Sequence, residues 1–413
     1  VISMLATATN GGIFTSTSSD FGVAGVLDRF LQSKPKVLVA AIGYTYNGKY
    51  FDQTEKLIEI EKKLDCLEKL IIVDFLNKGI DLSLFKNADS YTDLLSNDHY
   101  QLQFIPRKFD DALYIMYSSG TTGKPKCIVH GIGGTLLQHV KELGLHTNLT
   151  NHQNIFYFTT CGWMMWNWLV SSLFFGATIT LYEGSPATPS LPEFFDIIDR
   201  EEIDIFGTSP KFLKALEETG YDALNKFKSL KTILSTGAPL ISEQYDFVYQ
   251  KIKEDVQLSS ICGGTDILGC FMLGNPVLPV KRGEIQCLGL AMDVASYDEQ
   301  GQACYQKEGE LVCQQSFPSR PLCFLGDDDN SRINQAYFNR YKNIWHHGDF
   351  ITITKEKSVK VFGRSDATLN PGGVRIGTAE IYRQTEQINF LNDSLCVART
   401  NKGDVDVILF VQM

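Results

Sequence analysis

Residues 155–182 carry no Asp, Glu, Lys, Arg or His. An uncharged run of that length either crosses a membrane or lies inside a folded core. A spanning helix needs about 20 mostly apolar residues in one stretch. Here Cys161-Gly162, Asn167 and Gly176 interrupt the run. Residues 166–175, then Gly176, then 177–182 read as a helix, a stop and a strand. The pattern is that of a buried piece of an α/β core, and no membrane span is expected.

The rest of the chain supports that class. Short apolar runs at 36–41, 70–74, 114–117, 155–159, 203–206, 230–235 and 256–260 read as strands. Helical patterns at 133–145, 191–200, 210–218 and 243–253 fall among them, and Asp52 is placed to cap a helix with Leu57, Ile60 and Leu64 on one face. Such alternation predicts stacked parallel α/β layers. From residue 281 the texture changes to short strands at 283–288, 310–314, 351–354 and 359–362, expected as a small antiparallel β-subdomain. Residues 379–387 then read as a helix, and 395–399 and 405–411 as strands, the start of a small α+β domain. The expected division is 1–280, 281–365 and 366–413.

The chain has 413 residues and a net charge of −10. That acidity argues against nucleic acid as the main partner, because such binding needs a basic face. The ten cysteines form no Cys-x-x-Cys pair. Reduced thiols in a cytoplasmic enzyme are expected. The first residues, Val1-Ile2-Ser3-Met4, lack the basic region of a signal peptide. Nothing in the sequence sets an oligomeric state.

The expected strand at 114–117 runs into Ser118-Ser119-Gly120-Thr121-Thr122-Gly123-Lys124-Pro125-Lys126. Glycines let a backbone approach a polyphosphate, amides and hydroxyls donate to its oxygens, and lysines neutralise its charge. A Walker A loop has four residues between its glycines and Ser or Thr after its lysine. Here two residues separate Gly120 from Gly123, and Pro125 follows Lys124.

This string resembles the phosphate loop of the adenylate-forming superfamily, which activates carboxylates with ATP and includes the acyl-CoA synthetases. Further blocks fall in the family's order. Thr160-Cys161-Gly162-Trp163 is similar to its substrate-helix motif, and Ser235-Thr236-Gly237-Ala238-Pro239 to its adenine-contacting turn. Cys262-Gly263-Gly264-Thr265-Asp266 resembles its Tyr-Gly-x-Thr-Glu block, and Trp345-His346-His347-Gly348-Asp349 its Thr-Gly-Asp block. Gly363-Arg364-Ser365-Asp366, followed by Asn370 to Arg375, resembles its hinge block. Residues 16–22, 26–30, 160–168 and 362–386 are similar, more narrowly, to the branch of the family that activates acetoacetate.

The resemblance implies a role for each matching residue. Ser118, Ser119, Gly120, Thr121, Thr122, Gly123 and Lys124 would cradle the ATP phosphates, and Gly237, Ala238 and Pro239 would contact adenine. Asp349 would accept both ribose hydroxyls, while Arg364 and Arg375 would face ribose and phosphates. Thr265, Asp266 and Lys126 would carry catalysis, with Asp266 holding Mg²⁺ through a hard oxygen. The family has Glu at that position, so the reach is shorter here. Trp163, Met164, Met165, Thr236 and Gly263 would line the acyl pocket. Acetyl-specific relatives have Trp where Gly263 stands, so glycine is expected to remove a wall. Trp163, Trp166 and Asn167 are candidates for reading a 3-keto oxygen. Gly372 and Gly373 would touch coenzyme A, and Asp366 would be the hinge. His346 and His347 fit no common zinc spacing.

The implied reaction joins a small carboxylate to CoA, with ATP cleaved to AMP and pyrophosphate through an acyl-adenylate, and acetoacetate is the expected acid. Family members also have a region before the equivalent of Val1 and a Gly-Lys motif that does not follow Val405 here. The sequence is therefore expected to be the middle of a longer enzyme. Other readings are a ligase for another short or medium carboxylate, a nucleotide-binding fragment without catalysis, and a kinase-type P-loop protein, which the loop spacing opposes.

Overall fold

A computed structural model describes residues 1–95, 101–118, 124–365, 368–371, 376–385, 388, 390–391, 393–401 and 404–413. Its centre is a five-stranded parallel sheet. The strands run in the order Thr178–Thr180, Asn154–Tyr157, Ile205–Thr208, Thr232–Ser235, Gln257–Ser260. A strand buried on both faces reads as a continuous apolar run, and helices must cover each face. Alternate residues divide accordingly. Ile155, Tyr157, Ile205 and Leu234 pack with Met165, Trp168 and Leu169 on one side. Phe156, Phe206, Ile233 and Leu258 pack with Phe194, Phe195, Leu213 and Tyr245 on the other. Phe195 and Phe206 meet edge to face at 5.1 Å. Each such side chain contributes about 1.5–3 kcal/mol by burial.

The uncharged run folds as its pattern predicts. It forms the Asn154–Tyr157 strand, the Met164–Val170 helix with a 3₁₀ extension at Ser171–Phe175, and the Thr178–Thr180 strand. Gly176 ends the helix at φ +71°. No helix among the described residues is long and apolar enough to cross a membrane.

A second sheet is mixed: Phe14–Thr15 lies parallel to Ala112–Ser118, which pairs antiparallel with Lys126–Gly131, itself antiparallel to Cys323–Phe324. The phosphate-type loop is therefore the connection of a hairpin. The Lys126–Gly131 strand was absent from the sequence reading because five of its six residues are buried, which removes the period-2 signal. Val37–Ala41, Lys69–Val73 and Ala88–Ser90 make a smaller parallel sheet. Beyond residue 281, Ala303–Cys304, Val294–Tyr297, Gly309–Cys313, Trp345–Ile353 and Val359–Arg364 form an antiparallel sheet. The Thr378–Thr385 helix and the Asp393–Asn401/Asp404–Gln412 hairpin follow.

Three helices differ from expectation. The pattern at 191–200 divides into Leu191–Phe195 and Ile197–Arg200. Those at 133–145 and 243–253 each begin as α-helix and finish as π-helical turns, Lys141–His146 and Val248–Ile252. Of the strand expected at 283–288, Cys287–Leu288 pairs with Met272 and Leu273, and Ile285 forms an isolated antiparallel bridge to Val359.

Candidate active site

The carboxyl ends of the parallel strands open onto a cavity of about 880 Å³. Phe158, Thr208, Ser209, Thr236, Ser260 and Ile261 line it just where their strands stop. A crevice outside the carboxyl ends of an open α/β sheet is the usual ligand position, and this volume suits a ligand of nucleotide size. The antiparallel segments supply the opposite wall.

At one corner the two strands of the hairpin bring Ser118 opposite Lys126, the last register pair before the loop. Ser118 is buried and lines the cavity, and its hydroxyl has no hydrogen-bond partner among the described residues. Lys126 Nζ lies 3.9 Å from Asp266 Oδ1. It also sits over the rings of Tyr337 at 5.2 Å and Phe324 at 5.8 Å. The Tyr337 hydroxyl donates to Asp266 Oδ1 at 2.5 Å, and its ring stacks on Trp345 with centroids 3.8 Å apart. Lys124 is exposed and lies off the cavity. Ser119, Gly120, Thr121, Thr122 and Gly123 fall outside the described residues.

Thr265 lines the cavity; Asp266, one residue on, lies beneath it and is 2% exposed. The donors at this corner are hard oxygens: the Asp266 carboxylate and the Ser118 and Thr265 hydroxyls. That chemistry fits Mg²⁺, which binds through one or two carboxylates and completes its shell with phosphate and water. No group of three or more His, Cys, Asp or Glu is arranged for a metal among the described residues. Below Thr265, the His130 ring points Nε2 at the Thr265 carbonyl, 3.0 Å away. Burial pushes this imidazole down to about 4, outweighing that carbonyl and Asp266, so the neutral ring donates Nε2–H.

Asp349 and Arg364 face each other across the Trp345–Ile353/Val359–Arg364 ladder. Arg364 Nη1 lies 3.3 Å from Asp349 Oδ2, and His347 Nε2 3.6 Å from the same oxygen. Strand alternation turns His346 to the other face, where Nε2 meets Glu310 at 2.9 Å. Glu310 also accepts from Ser365 at 2.6 Å and from Arg340. Burial alone would raise the Glu310 carboxyl, but His346, Ser365 and Arg340 outweigh it and hold the group below its ordinary value. The two adjacent histidines thus serve different acids. Gly237, at φ +103°, opens the turn that presents Ala238 and Pro239 to the cavity. Asn370 reaches this turn and donates Nδ2–H to the Gly237 carbonyl at 2.8 Å. Asp366, Gly372, Gly373 and Arg375 lie outside the described residues.

Trp163, Met164, Met165, Thr236 and Gly263 all line the cavity. Trp163 packs edge to face on Tyr157 at 5.9 Å, and the Thr236 hydroxyl donates to the Ile261 carbonyl at 3.0 Å. Trp166 and Asn167 are not in its wall, and Asn167 is fully buried. Gly263 needs a different account from the sequence argument. A Cβ there would lie 2.0 Å from the Gly269 carbonyl oxygen and 2.7 Å from Cys270 Cα. The missing side chain lets the Gly269–Leu273 strand close in at the bulge between Cys262 and Gly263, so backbone takes that space. Asp20, Arg29, Lys211, Tyr245 and Glu284 also line the cavity and escaped the sequence reading. Arg29 had a signal, since it sits in one of the family-like blocks, and its guanidinium packs 4.7 Å from the Phe21 ring. Asp20 sits in another, residues 16–22; Lys211, Tyr245 and Glu284 carry no local motif.

Residues 1–319 match the family model described as AMP-binding enzyme, and the chain belongs to that family. The α/β fold is that of the adenylate-forming enzymes. The chain is 47% identical to the acetoacetyl-coenzyme A synthetase of Rhizobium meliloti (strain 1021), over 99% of its own length and 63% of that protein. It is 45% identical to the acetoacetyl-CoA synthetase of Gallus gallus, over 100% of this chain and 63% of that one. Among solved structures, the acetoacetyl-CoA synthetase from Streptomyces lividans superposes with a TM-score of 0.84 at 36% identity, covering 100% of this chain and 63% of that one. The chain thus spans just under two thirds of the length of these relatives.

Proposed function

We propose that the chain is the nucleotide- and acyl-binding part of an ATP-dependent acetoacetate–CoA ligase. The observation that carries this reading is the convergence of Ser118, Thr265, the Gly237–Ala238–Pro239 turn and the Asp349–Arg364 pair on one cavity. The names of the relatives support the choice of acid. Gly263 does not, because neighbouring backbone fills the space its side chain would take.

In this reading the Gly237–Ala238–Pro239 turn holds adenine, and Asp349, steadied by Arg364, accepts the ribose hydroxyls. Ser118 and the hairpin loop take the phosphates, and Lys126 offsets their charge. Asp366 and Arg375, Gly372 and Gly373 keep the hinge, phosphate and CoA roles that the family pattern implies. Trp163, Met164, Met165 and Thr236 enclose the acid. An acid oxygen attacks the α-phosphorus and displaces pyrophosphate, giving the acyl-adenylate. The CoA sulfur then attacks the acyl carbon, AMP leaves, and the thiol proton passes to solvent. Phosphoryl chemistry of this kind needs positioning and charge neutralisation above all. Mg²⁺ held by Asp266 would neutralise phosphate charge. Residues 1–280 and 281–365 would make the adenylation domain, and 366–413 the hinge and the start of a mobile domain. All ten cysteines remain thiols, which supports a cytoplasmic setting.

Calorimetric titration of the 413-residue protein with ATP and AMP, with and without Mg²⁺, tests the binding half. Saturable binding that Asp349→Ala abolishes is expected. No binding of either nucleotide would refute the reading.

A further inference from the structure

Five hydrogen bonds link one continuous stretch, residues 130–146, to another, residues 265–274. His130 Nε2–H donates to the Thr265 carbonyl at 3.0 Å, and His139 Nε2–H to the Leu268 carbonyl at 2.8 Å. Gln138 Nε2–H reaches the Cys270 carbonyl at 3.2 Å, and Glu142 accepts from the Cys270 amide at 2.7 Å. His146 Nδ1–H donates to the Gly274 carbonyl at 2.8 Å, while its Nε2 accepts from the Leu290 amide. All three imidazoles are buried.

The segment they hold is under backbone strain. Leu268 sits at φ +47°, a left-handed conformation that a branched side chain avoids. Its amide closes a tight turn onto the Thr265 carbonyl at 3.3 Å. That carbonyl therefore takes one bond from the turn and one from His130, and the carbonyl at the strained residue takes its bond from His139. Strained turns persist where surrounding groups over-determine them, and they concentrate at functional sites.

We propose that His130 and His139 are positioning residues which lock the strained 264–268 turn and so aim Thr265 and Asp266 at the phosphates. This rests on the nucleotide-binding reading above. His146 provides the internal control, because Gly274 lies away from the cavity.

The test compares His130→Phe, His139→Phe, His130→Gln and His146→Phe. Each is measured by ATP calorimetry with Mg²⁺, by thermal melting and by amide hydrogen exchange over residues 264–270. His130→Phe and His139→Phe should weaken ATP on the order of tenfold, as loss of about one hydrogen bond's worth of positioning implies, and should speed exchange in the turn. His130→Gln, whose amide can donate to the same carbonyl, should restore most of the affinity. His146→Phe should lower the melting temperature with affinity unchanged. Unaltered exchange at 264–270 in both His130→Phe and His139→Phe would overturn the proposal, whatever the nucleotide data show. So would equal affinity loss in His146→Phe. Absence of ATP binding by the unmodified protein would sink the nucleotide reading alone, and the exchange measurement would still decide this one.

Discussion

Replacing Gly263 by alanine probes the join between fold and site. The new Cβ would stand 2.0 Å from the Gly269 carbonyl oxygen, 1.4 Å inside the start of ordinary van der Waals contact at 3.4 Å. Both obstructing groups are backbone, so no side chain can swing aside. The Cys262–Gly264 and Gly269–Leu273 strands must part, and Thr265 moves with them. Overpacking of this kind costs about 1–3 kcal/mol. Gly264→Ala, one residue away, meets His347 Nε2 at 3.3 Å and Asp266 Oδ2 at 3.5 Å, and should stay within about 0.5 kcal/mol of the parent. Urea unfolding reads both as shifts in midpoint at constant slope. Gly263→Ala should also weaken AMP, since the Thr265 corner is displaced. A Gly263→Ala protein as stable as the parent, or a Gly264→Ala protein less stable than Gly263→Ala, would refute the close-approach argument.

Other outcomes follow from the same geometry. Asp349→Asn keeps the shape but loses the charge facing Arg364 and weakens two ribose bonds, so AMP affinity should fall by about 1.5–3 kcal/mol in calorimetry. Glu310→Gln should destabilise the protein, because three donors lose their carboxylate. The folded carboxyl is depressed, so its contribution is complete above the ordinary glutamate value of about 4.3 and disappears as pH falls through the lower folded value. Urea midpoints of parent and Glu310→Gln should therefore differ at pH 7 and converge in acid. Asp266→Asn should reduce the Mg²⁺-dependent part of ATP affinity and leave AMP binding in the absence of metal nearly unchanged.

The parallel sheet was legible because its inner strands are short, mostly apolar runs buried on both faces, and the uncharged run at 155–182 had a glycine where a helix must stop. The Lys126–Gly131 strand was not, since five of its six residues are buried and leave no period to read. The π-helical turns were equally hidden: Glu142, tied to Trp168 Nε1 at 2.9 Å and to the Cys270 amide, owes its place to contacts far away in sequence. At the site, residues inside family-like blocks could be named in advance. Lys211, Tyr245 and Glu284 could not, because only the folded chain brings them to the cavity. Gly263 lines the cavity, but the sequence cannot show that a neighbouring strand occupies the direction its Cβ would take.

Product analysis tests the central claim most directly. Full-length protein is incubated with ATP, Mg²⁺, CoA and either acetoacetate or acetate, and nucleotides and thioesters are separated by chromatography. The account predicts AMP with acetoacetyl-CoA from acetoacetate and little turnover of acetate. ADP in place of AMP, or acetate used in preference, would contradict it.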